Sequence, residues 1–291
     1  MRIVVTGSTG FVGKRACRRF TELGHEVIGI TKGPVDTGTE NWASQTIQCD
    51  LSDPAAVSRL RLGGYDAILN LAGIASNAGG DPELIRHVNV AAHVNLYRHL
   101  GSMGLSPRII AVSSGLVYKI TTDSDGIVRP LTELDELQNI ETARAYEASK
   151  IMMEQAVTEE FADMDIVIAR PFNHIGPGQG RGFISSDLAD QIERAIREDK
   201  TTIATGNLAT ERDYTHVDDI IEWYVQLIMA KQLDFNVYNL CSGHTMSGNQ
   251  ILQILLSSYG AHLEPVVDPS RLRPNEVLRI VGDNSRISQE T

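Results

Sequence analysis

The chain reads as an α/β protein: a doubly wound parallel sheet with helices on both faces and a smaller substrate lobe interleaved with it. Three observations predict this. Short apolar runs alternate with helical patterns over 1–169, and such alternation implies right-handed βαβ units. A glycine-rich turn follows the first apolar run. After Arg170 the alternation breaks at Pro171, Pro177 and four glycines between 176 and 182, which mark a long loop.

The elements follow in order. Arg2 to Val5 is a buried strand. Gly13 to Leu23 is a helix with Ala16, Cys17, Phe20 and Leu23 on one side and Gly24 as its stop. Glu26 to Ile30 and Thr46 to Gln48 are the next strands, and a short helix surrounds Pro54. Ala67 to Leu71, Arg108 to Val112 and Asp165 to Ala169 are three more strands, with long helices at Pro82 to Leu100 and Ala143 to Phe161. Beyond the loop come a helix at Ser185 to Arg197, a strand at Thr201 to Ala204, a helix at Val217 to Ala230 and a strand at Val237 to Leu240. The tail from Tyr259 reads as loop-rich. The expected division is a dinucleotide-binding domain over 1–169, rejoined by 209–240, and a substrate lobe made of 170–208 and 241–291.

Composition narrows the function. The chain has 291 residues, 42% hydrophobic and 22% charged, and a formal net charge of −11. That acidity argues against binding a nucleic-acid backbone. Cys17, Cys49 and Cys241 are widely spaced and odd in number, which argues against a disulfide framework or a zinc cage. The apolar run at the N-terminus ends at Thr6-Gly7, too short for a signal sequence, and no run is long enough to span a bilayer. The expected location is the cytoplasm, with no membrane partner. His216, Asp218 and Asp219 are read as first-turn residues of a helix, not as metal ligands. His87, His93 and His99 share no helix face, and no metal is expected.

Gly7, Gly10 and Gly13 sit between strand and helix, spaced so that backbone approaches a pyrophosphate at a helix N-terminus. This is a Rossmann-type arrangement. NAD-binding sheets commonly end the second strand on an acid, but here it ends Ile30-Thr31-Lys32. Lys32 can face a 2′-phosphate, so NADP(H) is expected over NAD(H); a solvated loop charge is the alternative. Asp50 either contacts adenine or caps the helix at Pro54. Asn70-Leu-Ala-Gly73 and Ser113-Ser114 close two strands at the edge that borders a ligand crevice. Tyr146 and Lys150 stand four apart on one helix face, where a cation is expected to lower the phenol pKa.

Glycine loop, Asn-x-Ala-Gly, strand-end serine and Tyr-x-x-x-Lys together resemble the extended short-chain dehydrogenase/reductase family. The stretches Arg170 to Gln179, Gly206 to Tyr214 and Arg271 to Val277 resemble its nucleotide-sugar branch. The resemblance implies Ser114, Tyr146 and Lys150 as catalytic residues, with Ser113 the alternative serine. It implies cofactor contacts from Gly7, Thr9, Gly10, Phe11, Val12 and Gly13, and from Thr31, Lys32, Asp50 and Leu51. Further contacts are implied from Leu71, Ala72, Gly73, Val112, Tyr146, Lys150, Pro171 and His174. Asn89 is placed with these as the asparagine that supports the active-site helix. Ser114, Asn173, Phe183, Arg212, Arg273 and Glu276 are implied at the substrate, the two arginines gripping its diphosphate. The implied reaction is NADPH-dependent reduction of the C4 ketone of a GDP-4-keto-6-deoxyhexose, in a homodimer formed through the two long helices. A 4-epimerase that retains NAD and a non-catalytic NADP sensor are the alternatives. Dehydratases of this branch carry a glutamate two residues before the tyrosine that matches Tyr118. Gly115-Leu116 stands there instead, which counts against elimination.

Overall fold

The computed structural model describes residues 1–34, 42–75, 80–121, 128–272 and 277–290. Seven parallel strands form the large sheet in the order β10-β6-β5-β4-β1-β2-β3. These are β1 (Arg2–Thr6), β2 (Glu26–Thr31), β3 (Gln45–Gln48), β4 (Ala67–Asn70), β5 (Arg108–Val112), β6 (Ile166–Pro171) and β10 (Val237–Leu240). The strands read as near-continuous apolar runs because both faces are covered, and successive side chains feed opposite layers. Ile3 and Val5 enter one apolar core with α1 (Phe11–Glu22) and α6 (Val217–Met229). Val4 enters the other, with α3 (Pro82–Ser102) and α4 (Ala145–Glu160). Gly24, with φ +82°, lies just past α1 where its stop is expected.

Short α2 (Pro54–Val57) follows β3. Its cap is Asp53, which accepts from Ala55 N at 2.9 Å; Asp50 instead accepts from Ser52 N at 3.0 Å. The capping role read for Asp50 therefore belongs to Asp53, the residue directly before the helix.

The second lobe contains β7 (Asn173–Ile175), α5 (Ile184–Arg197), β8 (Thr202–Thr205), β9 (Glu211–His216), β11 (Thr245–Ser247), α7 (Gly248–Tyr259), β12 (Glu264–Val267) and β13 (Arg279–Ile280). β9 pairs with β7, β11 and β13, and β12 pairs with β8. Leu188, Ile192, Ile251, Leu252 and Leu256 form a separate apolar core between α5 and α7. The return of 209–240 to the large sheet is therefore confined to α6 and β10, because β9 belongs to the small sheet. The expected 241–291 segment of the lobe also differs: α8 (Ser285–Gln289) buries Ile287 in the core beneath α6. The tail carries strands and a helix where the sequence reads as loop. α7 was not anticipated, although Ser247 and Gln250 make a capping box and Gly260 ends the helix at φ +60°. Among the described residues, no helix is long and apolar enough to cross a membrane.

Candidate active site

The chemistry gathers at the carboxyl end of β5. Ser113 and Ser114 follow it, and a single 3-10 turn (Gly115–Val117) begins on Ser114, whose hydroxyl accepts from Leu116 N at 3.2 Å. The helix α4 lies across this edge and presents Tyr146 and Lys150. Ser114 and Tyr146 are joined by a side-chain hydrogen bond. Lys150 Nζ donates to Val112 O at 2.8 Å and lies 6.0 Å from the centroid of the Tyr146 ring. The three expected catalytic residues thus meet in one place.

Their electrostatics differ from the sequence expectation. Burial pushes the Tyr146 phenol up to about 12, and the bond to Ser114 only partly opposes it. The expected lowering by Lys150 does not prevail. Burial also pushes Lys150 down to about 8, with the Glu154 carboxylate working upward. At neutral pH the phenol is protonated and the lysine is close to its own titration.

The glycine turn has a shape that suits a dinucleotide. Gly7 has φ +62°, and Gly10 N donates to Gly7 O at 2.9 Å. A Cβ on Gly13 would stand 2.1 Å from Gly7 O, so only glycine lets α1 approach the turn. The start of α1 has no side-chain cap and no acid in its first turn, which leaves its N–H groups and positive dipole end for an anion. These residues fit a nicotinamide dinucleotide, whose pyrophosphate the turn would hold.

Other expected cofactor residues take varied places. The Thr9 and Thr31 hydroxyls are 2.8 Å apart. Lys32 Nζ pairs with Asp50 at 2.9 Å, so two expected cofactor residues bind each other. Ser52 and Lys32 overcome the effect of burial and hold the Asp50 carboxyl below its ordinary value. Leu51 and Val112 are buried, Leu51 in the core beneath α3. Leu71, Ala72 and Gly73 form the turn after β4. His174 Nδ1 is 3.1 Å from Phe172 O, and its ring stacks on Phe11 at 6.4 Å between centroids. Burial lowers the His174 pKa, so the imidazole is neutral. Pro171 ends β6. Asn89 is fully buried, accepts from Ile74 N at 2.6 Å and donates to Ser149 Oγ at 2.9 Å. It braces the turn after β4 against α4.

The expected substrate residues are more scattered. Asn173 pairs with Tyr214 in register between β7 and β9. Phe183 precedes α5 and is half-buried. Arg212 projects from β9 with Nη1 donating to Glu211 O at 2.8 Å. Arg273 and Glu276 lie outside the described residues. A cavity of about 490 Å³ sits in this lobe, lined by Thr205, Gly206, Asn207, Pro265, Val267 and Leu272 among others.

Two buried groups escaped sequence reasoning. Asp213, 1% exposed, accepts from Ser242 N at 2.9 Å, Ser242 Oγ at 2.7 Å and Gly243 N at 2.9 Å, tying β9 to the loop after β10. His93 is fully buried, with Nδ1 3.1 Å from Asn70 Nδ2 and 2.9 Å from Tyr97 OH. Neither had a local signal beyond polar side chains within otherwise regular elements.

The NAD dependent epimerase/dehydratase family matches residues 3–241. The chain belongs to that family. It is an NAD(P)-dependent oxidoreductase of the extended short-chain dehydrogenase/reductase fold. GDP-6-deoxy-D-mannose reductase from Pseudomonas aeruginosa is 28% identical, over 100% of this chain and 90% of that protein. GDP-6-deoxy-D-talose 4-dehydrogenase from Aggregatibacter actinomycetemcomitans is 27% identical, over 99% and 90%. The structure of RMD from Pseudomonas aeruginosa complexed with NADPH superposes with a TM-score of 0.79 at 28% identity, covering 100% of this chain and 92% of that one.

Proposed function

We propose that this family member is an NADPH-dependent reductase of the C4 ketone of a GDP-4-keto-6-deoxyhexose, giving a GDP-6-deoxyhexose of the GDP-D-rhamnose type. The observation that carries the reading is the Ser114–Tyr146–Lys150 group with no carboxylate at Gly115 or Leu116. A reduction needs one acid, and Tyr146 is held in its protonated form by burial. Elimination needs a base at the sugar, and the 3-10 turn offers only Leu116 there. A Cβ on Gly115 would lie 2.5 Å from the Phe172 ring, so the packing also resists a side chain at that position. The names of the two relatives, both acting on GDP-6-deoxy sugars, support the same substrate class.

The nicotinamide, when bound, supplies the hydride. Tyr146 gives its phenolic proton to the carbonyl oxygen, which stays on C4 as the product hydroxyl. Ser114 bonds the same oxygen and fixes its orientation. Lys150, anchored on Val112, steadies the phenolate left on Tyr146. Arg212 grips the diphosphate, aided by Arg273, and the cavity by Gly206 and Val267 takes the nucleoside end. Lys32 favours the 2′-phosphate of NADPH, and Asp50 moderates that preference. α3 and α4 pack side by side and pair with a second copy in a homodimer, which light scattering checks.

Purified protein given GDP-4-keto-6-deoxymannose should oxidise added NADPH in a 1:1 ratio. Absence of any loss of reduced-cofactor absorbance refutes the reading. Turnover of a nucleotide sugar without added cofactor identifies a 4-epimerase instead.

A further inference from the structure

Three consecutive residues at the end of β5 each bond a different residue of α4. Val112 O accepts from Lys150, Ser113 Oγ donates to Glu154, and Ser114 is joined to Tyr146. Residues 146, 150 and 154 are four apart and line one helix face. The lower bond of this set is the best buttressed. Glu154 is 4% exposed and Arg170 is 5% exposed. Arg170 donates from Nε to Oε1 at 2.9 Å and from Nη2 to Oε2 at 2.6 Å, a two-pronged grip on the carboxylate. Its Nη1 donates to Tyr118 OH at 2.8 Å, and that hydroxyl donates to Asn239 Oδ1 at 2.6 Å. The network therefore ties α4 to β5, β6 and β10 directly beneath the proton donor.

We propose that Glu154, gripped by Arg170 and Ser113, is a positioning residue of this site: it sets the register of α4 on the end of β5 and supplies the negative charge that supports the Lys150 ammonium. The charge argument follows from the neighbours of Lys150. Tyr146 and Glu154 face it from α4 and His93 from α3. Arg170 from β6 and Tyr118 after β5 stand behind Glu154. Tyr146 and Tyr118 are neutral phenols, and burial holds His93 well below its ordinary value, so it is neutral too. Glu154 is the anion that opposes the desolvation of Lys150. This rests on the reductase reading for the role of Lys150 and for the E154D kinetics, and the acetylation measurement is independent of the sugar.

The test measures the rate of acetylation of Lys150 by acetic anhydride against pH, read by peptide mass spectrometry on the full chain. The wild-type half-point should lie near 8. E154Q should lower it by about one unit, because the anion is lost while Arg170 stays. The double variant E154Q/R170M should lower it by less, and it keeps the measurement available if E154Q alone, with an unpaired buried guanidinium, fails to fold. E154D, which keeps the charge and shortens the reach, should leave the half-point in place and lower kcat several-fold with KM unchanged. A half-point unmoved in a natively folded E154Q or double variant overturns the proposal, as does wild-type kcat in E154D. Failure of the wild type to oxidise NADPH would refute the substrate reading while leaving the acetylation result standing.

Discussion

The carboxyl edge of the large sheet and the second lobe differ in how they hold their functional side chains. At the edge, Ser114 and Lys150 are each 6% exposed, and Tyr146 is fixed between them. In the second lobe, Arg212 on the small sheet and Phe183 just before α5 are half-buried. A buried, hydrogen-bonded site holds reacting groups in one geometry and shifts their pKa values. An open surface binds large polar ligands at little desolvation cost and moves their protonation states far less. Under the proposed function the edge would carry the chemical step and the lobe the substrate choice, and substitutions should separate along that line.

The largest effect should come from the edge. Tyr146→Phe should lower kcat about 10³-fold, the usual scale for a lost general acid, with the Kd for NADPH by calorimetry nearly unchanged. Retained turnover would move the proton donor elsewhere and break the comparison.

Lys150→Met tests the cost of burial. The folded pKa of Lys150, about 8, is lowered from 10.5, so its charged form is disfavoured by folding. The unfolded chain binds the proton first, and wild-type stability should rise as pH climbs from about 8 towards 10.5. The variant should lose that rise. It should be more stable than the wild type near neutral pH by about 2 kcal/mol in urea melts, while losing catalysis. A variant less stable than wild type at neutral pH would show that the bond to Val112 outweighs desolvation.

In the second lobe, Arg212→Ala should raise KM for the nucleotide sugar about tenfold with kcat little changed, the value of one charge-assisted contact to phosphate. A fall in kcat instead would mean that the lobe also places the reacting carbon. The smallest effect is expected from the Lys32–Asp50 pair, proposed to face the cofactor's 2′-phosphate. Asp50→Asn should release Lys32 and raise the kcat/KM ratio of NADPH over NADH by about two- to fivefold, the scale of a surface ion pair. An unchanged ratio removes Lys32 from cofactor selection.

The same contrast governs how much could be read in advance. β1, β4, β5 and β6 were legible because a strand buried on both faces needs an apolar residue at nearly every position. The strands of the small sheet were not. β9 reads Glu-Arg-Asp-Tyr-Thr-His, with no alternation to mark it. Its strand state comes from pairing with β7, β11 and β13. The helix α7 did carry a local signal, Ser247 with Gln250 and then Gly260, that sequence reading passed over. The sequence reading offered Asp50 as the cap of α2, and the backbone places Asp53 there instead.

The strand-helix alternation, the glycine turn under α1 and the Tyr146–Lys150 face of α4 are all local properties: residue spacing, backbone freedom at glycine and helical periodicity settle them within a few residues. The bond from Ser113 to Glu154 spans 41 residues and the one from Tyr118 to Asn239 spans 121. The pairing of Lys32 with Asp50, the protonated state of Tyr146 and the near-neutral titration of Lys150 likewise arise only when separate elements close on one another. Burial and charge act through space, and no spacing along the chain records which groups packing will bring together.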